Sequence, residues 1–172
     1  MRHTIAAGVT LLLSSALAST AIAQVSCPAK VTHAGTSAND AFFAEAAARM
    51  TGQSGNDDLF GSELSDCLNG GSGDDVLDGF EGNDLLAGEG GVDIIYGGPG
   101  NDVIQGGSND DDLNGGEGDD RITGDGGNDF IDGSTGVDSI NGGSNNDSFS
   151  ISAGDVPAGA TTPSQNGEFS FG

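Results

Sequence analysis

The sequence predicts an all-β protein, a two-strand β-solenoid, and three observations carry that prediction. A nine-residue unit recurs from Gly52 to Ser150 without insertion or deletion, eleven times in one phase. Every unit opens on glycine, holds aspartate at its sixth place and a large apolar residue at its eighth. The composition is glycine-rich, with 32 glycines in 172 residues. Glycine costs about 1 kcal/mol per helical position relative to alanine, so helix is disfavoured there. A strict internal period outranks local propensity, because each unit must bury its apolar side against its neighbours.

Gly70 to Asp78 shows the pattern plainly: G-G-S-G-D-D-V-L-D. The first six places are turn chemistry and the last three a very short strand. Alternation along that strand puts the eighth side chain on one face and the seventh and ninth on the other. Such a strand needs neighbours about 4.8 Å above and below it. Two units per coil, 18 residues in all, supply them: strand, turn, strand back, turn. Units i and i+2 then stack, and Leu59, Leu68, Leu77, Leu86, Ile95, Ile104, Leu113, Ile122, Ile131, Ile140 and Phe149 meet as a thin core.

Stacking also aligns the sixth-place aspartates, which are Asp57, Asp66, Asp75, Asp84, Asp93, Asp102, Asp111, Asp120, Asp129, Asp138 and Asp147. Two carboxylates about 5 Å apart repel by roughly 3 kcal/mol at an effective dielectric near 20. A hard divalent cation between them reverses the sign. Calcium takes six to eight oxygens, carboxylate and carbonyl alike, whereas magnesium demands a compact octahedron. Zinc prefers imidazole or thiolate. Odd turns pair Asp57/Asp75, Asp75/Asp93, Asp93/Asp111, Asp111/Asp129 and Asp129/Asp147. Even turns pair Asp66/Asp84, Asp84/Asp102, Asp102/Asp120 and Asp120/Asp138. That makes nine candidate calcium sites. Asp66/Asp84 is the weakest, because Leu64 stands at a fourth place that otherwise holds glycine or asparagine.

Flanking segments read differently. Residues 1–23 have the form of a cleaved secretory signal: a basic start at Arg2, an apolar run and Ala21-Ile22-Ala23 before the cut. The mature chain then begins at Gln24. Residues 24–51 form an N-terminal arm, with Asn39 or Asp40 capping a short helix over 41–50 that covers the open end of the stack. Cys27 and Cys67 are the only cysteines, and an exported chain meets oxidising surroundings, so a disulfide between them is expected. Residues 151–172 read as a loose tail or a second cap. Formal charge is −23, with 27 acidic and four basic residues. Such a chain repels nucleic acid and anionic membrane surfaces and attracts cations.

These nonapeptides resemble the RTX, or haemolysin-type, calcium-binding repeats. The resemblance implies a right-handed parallel β-roll that folds in calcium-rich surroundings after export. It also implies calcium contacts from the sixth-place aspartates and from turn carbonyls at Gly55, Gly73, Gly82, Gly91, Gly100, Gly118, Gly127 and Gly136. A secreted or extracellular site follows, with the periplasm as the alternative. Only about 50 mature residues lie outside the repeats, too few for a usual catalytic domain, so no enzyme is expected. The role expected is a structural, surface or interaction module. The alternatives are an accessory to a polysaccharide-active enzyme or adhesin and, less favoured, an ice-binding roll. Apolar residues at outward places (Phe60, Val76, Ile94 and Tyr96 on one sheet, Leu85, Ala87 and Val103 on the other) either mark a face for a cell-surface, polysaccharide or protein partner or are covered by the N-terminal helix.

Overall fold

The computed structural model describes Cys27 and residues 33–152, 156–157 and 169–171. The expected signal segment and most of the last twenty residues lie outside these. Strands alternate between two sheets along the chain. In order they are β1 (His33–Ala34), β2 (Ala41–Phe43), β3 (Arg49–Ser54), β4 (Asp58–Phe60), β5 (Cys67–Ser72), β6 (Val76–Asp78), β7 (Leu85–Gly90) and β8 (Ile94–Pro99), followed by β9 (Val103–Ser108), β10 (Asp112–Glu117), β11 (Arg121–Gly126), β12 (Phe130–Thr135), β13 (Ser139–Ser144), β14 (Ser148–Ile151), β15 (Val156–Pro157) and β16 (Phe169–Phe171). Odd-numbered strands make one eight-stranded sheet and even-numbered strands the other. All pairing is parallel, and within the repeats each residue faces its counterpart two units away: Leu113 lies between Ile95 and Ile131.

Most strands are longer than the three residues expected. From β7 to β13 each spans six, running from the seventh place of one unit to the third of the next. The first three places of each unit therefore lie within a strand, and the second joins the ladder, as Gly116 pairing with Gly98 and Ser134 shows. The eighth places form the core as expected. From Leu59 to Ile140 none is more than 2% exposed, and Phe149 packs against them in part.

The expected helix over 41–50 does not form, and among the described residues there is no helix at all. Gly35–Phe43, G-T-S-A-N-D-A-F-F, is a further unit with glycine first, aspartate sixth and phenylalanine eighth. It escapes the repeat phase because the next unit, residues 44–51, is one residue short, so Phe42 faces Leu59 at a spacing of 17. Asp40 caps no helix. It accepts from Thr36 and donates its own N–H to Asp57 Oδ1 at 2.7 Å, as repeat aspartates do. Ala48 and Met50 extend the core in place of a covering helix. His33 sits in β1 opposite Met50, with its ring 5.3 Å from Phe42.

A disulfide joins Cys27 to Cys67, with Cα atoms 5.6 Å apart. It ties the arm to the outer face of β5. At the other end β15 and β16 add a strand to each sheet. Phe43 and Phe60 stack at 4.7 Å with planes 9° apart, and Phe80 lies 6.5 Å from Phe60. This aromatic run, continued by exposed Ile94 and Tyr96, lies along the even-numbered sheet. No helix among the described residues is long and apolar enough to cross a membrane.

Candidate metal centre

Each sixth place follows a strand-to-strand bend, and stacking turns it inward. From Asp57 to Asp138 every one of these aspartates is buried, none more than 3% exposed. Asp147, nearer the end of the stack, is half-buried. They form two columns held by one repeated bond. The backbone N–H of each aspartate donates to Oδ1 of the aspartate one coil on. Distances are 2.7 Å for Asp57 to Asp75, 2.7 Å for Asp84 to Asp102 and 2.9 Å for Asp111 to Asp129. The same bond links Asp66 to Asp84, Asp75 to Asp93, Asp93 to Asp111, Asp102 to Asp120, Asp120 to Asp138 and Asp129 to Asp147. The sequence-derived pairs are thus the pairs that the fold stacks.

The second oxygen behaves differently. Oδ2 of Asp57, Asp75, Asp84, Asp93, Asp102, Asp111, Asp120 and Asp129 is buried with no hydrogen-bond partner. Leaving such an oxygen unmet costs about 1–3 kcal/mol, more when it is charged. Burial is the largest influence on their acidity. It raises the Asp84 carboxyl from 3.8 to about 8, Asp111 and Asp120 to about 7, and Asp75, Asp93, Asp102 and Asp129 to about 6. The N–H bond to Oδ1 opposes the rise. Carboxylates one coil above and below add to it at Asp75, Asp84 and Asp111. Burial thus favours the protonated carboxyl, and holding these groups as anions in so dry a place calls for a compensating positive charge.

The glycines explain themselves at two places in each turn. A Cβ on the first-place Gly97 would overlap Asp102 Oδ2 and the Gly115 carbonyl. The fourth place holds left-handed backbone in most turns, φ 123° at Gly73 and 135° at Gly91, with Leu64 and Gly127 as exceptions. A side chain on Gly91 would strike the Gly73 carbonyl, and one on Gly73 the Gly55 carbonyl, so backbone oxygens stack along the turn beside the aspartate column. Gly97→Ala should therefore lower the denaturant-derived stability of the calcium-loaded protein by about 2 kcal/mol or more. Gly126→Ala is the control. Its Cβ would find only Ser144 Oγ at 3.6 Å and Gly107 O at 3.8 Å, and it should be neutral or stabilising by up to about 1 kcal/mol. Equal losses in both variants would contradict the close-approach account.

Among the described residues no three acidic, imidazole or thiol side chains converge as a metal cluster. A cation here must draw part of its shell from carbonyls. That donor set suits calcium and not zinc. The unmet Oδ2 atoms and the carbonyl-lined turns fit such an ion, which would supply positive charge between stacked carboxylates. The Asp66 turn departs from the rest: its Oδ2 accepts the Ser62 N–H at 2.7 Å and the Ser62 hydroxyl at 3.0 Å. Sequence reading flagged this turn through Leu64 but missed Ser62. It missed Asp40 too, which a search allowing a 17-residue step would have found.

Comparison with curated proteins and with solved structures gave no match. The family model for the RTX calcium-binding nonapeptide repeat (4 copies) matches residues 60–95, 87–122 and 114–149. Together these windows run unbroken over more than half of the chain, across the same turns and columns. The chain belongs to the RTX calcium-binding nonapeptide repeat family.

Proposed function

We propose that this protein is exported, takes its fold on binding calcium, and works as a structural, surface or interaction module. The carrying observation is the double column of buried aspartates whose Oδ2 atoms have no hydrogen-bond partner. Calcium is the ligand of the family. The sixth-place aspartates supply the carboxylates and the fourth-place carbonyls the neutral oxygens. Nine stacked pairs set the upper bound on the ion count. Extracellular calcium modules work at about 10⁻⁴ to 10⁻³ M, which suits a chain that stays unfolded until it leaves the cell. The exposed aromatic run from Phe43 to Tyr96 gives such a module a contact face.

Two measurements test this. Equilibrium dialysis against millimolar calcium should retain several ions per chain, and magnesium at the same concentration should neither be retained in that number nor replace calcium. N-terminal sequencing of material recovered outside the producing cells should begin at Gln24. A chain that retains no calcium refutes the binding role. A full-length chain confined to the cytosol refutes export.

A further inference from the structure

Two turns lack the feature that makes the others need a cation. At the fourth place they carry Ala38 and Leu64 instead of glycine or asparagine, and neither has the left-handed backbone found at Gly55, Gly73 or Asn109. At the second place they carry hydroxyl residues, Thr36 and Ser62. The hydrogen bonding of the two turns is the same, contact for contact. The second-place N–H donates to the sixth-place Oδ2 at 2.7 Å, Thr36 to Asp40 and Ser62 to Asp66. The hydroxyl donates to that same oxygen at 3.0 Å in both. It also accepts the N–H of the fourth residue at 3.2 Å, from Ala38 and from Leu64. Elsewhere in the columns the corresponding Oδ2 of eight aspartates has no partner.

A second-place hydroxyl is not sufficient by itself. Ser134 precedes a turn with Gly136 at its fourth place, φ 150°. Its N–H goes to Asp132 Oδ1 and its hydroxyl to Asn114. The backbone of the whole turn decides. Ser134 itself stands at φ 64° and Gly136 at 150°, whereas Thr36, Ala38, Ser62 and Leu64 all avoid positive φ, and there the turn closes around the hydroxyl.

We propose that Thr36–Asp40 and Ser62–Asp66 are hydroxyl latches that do the work of a calcium ion, so that Asp40 and Asp66 are not metal ligands. Both latches lie at the N-terminal end, where the Cys27–Cys67 bond also pins the chain. That end holds its turns without metal and offers paired strand edges to which calcium adds later coils. The inference rests on the calcium reading of the other turns, but its tests fail separately from that reading.

In calcium-saturated full-length protein, Asp66→Asn should leave the dialysis ion count unchanged, while Asp102→Asn should lower it. Ser62→Gly combined with Leu64→Gly restores the glycine pattern and should raise the count by one ion. In chelated protein, hydrogen exchange at the Ser62 and Leu64 amides should be slower by roughly tenfold than in the glycine turn around Gly82, at the Glu81 amide, and Ser62→Ala should abolish the difference. Loss of an ion in Asp66→Asn, or an unchanged count in the double glycine variant, overturns the latch. A wild-type chain that binds no calcium fails the calcium reading instead, and amide protection at Ser62 and Leu64 still tests the latch alone.

Discussion

Stripping calcium from the mature chain is expected to expand it from a radius of gyration of about 15 Å toward about 40 Å, the difference between a compact and an unfolded chain of that length. The elongated roll itself should lie slightly above the compact figure. The reason is how little apolar surface holds each coil. One large side chain per nonapeptide enters the core, and among the described residues no second layer packs against the sheets. Against this stand eight buried carboxylate oxygens without partners. At about 1–3 kcal/mol each they cost roughly 8–24 kcal/mol, as much as the 5–15 kcal/mol by which a domain is usually stable. Like-charge repulsion along both columns adds to that cost. Small-angle scattering and far-ultraviolet circular dichroism with and without chelator would report it, and readdition of calcium should restore the β signal. A chelated chain as compact and as heat-resistant as the loaded one would show that the roll stands without metal.

The fold was legible in the sequence because three columns repeat without a slip from Gly52 to Ser150. Period fixed which residues stack, and stacking fixed the partners of Leu113 as surely as those of Asp93. The N-terminal end was not legible for the same reason. Gly35–Phe43 keeps the glycine, aspartate and phenylalanine of the pattern, but residues 44–51 lack one turn residue, so the phase shifts. An alanine-rich run after Asn39-Asp40 then satisfies every local rule for a helix. What overrides those rules is nonlocal: the Asp40 amide bonds to Asp57 Oδ1, and Phe42 pairs with Leu59. The candidate site was legible in its carboxylates and less so in its exceptions. Leu64 signalled a faulty turn, but only the folded turn shows that Ser62 donates to the oxygen left over. Strand length was misjudged because glycine reads as turn, whereas stacked coils keep it in register.

Acid should partly replace calcium in the metal-free chain, and the sign follows from the direction of the shifts. The carboxyls of Asp75, Asp84, Asp93, Asp102, Asp111, Asp120 and Asp129 stand at about 6 to 8 when folded, against 3.8 for a free aspartate. The folded state therefore binds protons that the unfolded state has released. Its stability falls as pH rises from 4 through the folded values, and is regained as pH falls. At pH 5 the metal-free chain should be compact with β signal, and at pH 8 expanded. Calcium reverses the preference, because protons compete with it for the same oxygens. Its midpoint should shift to higher concentration between pH 8 and pH 6. Asp84 carries the highest value, raised first by burial and then by Asp102, Asp66 and Asp78. Asp84→Asn removes the carboxyl whose ionisation weighs most on the metal-free fold, so the acid-stabilised compact state should persist to higher pH. Circular dichroism of the metal-free protein across pH 4 to 8 would follow both changes. A metal-free chain equally expanded at pH 5 and pH 8 would mean that ionisation of the buried columns is not what keeps the apo protein unfolded.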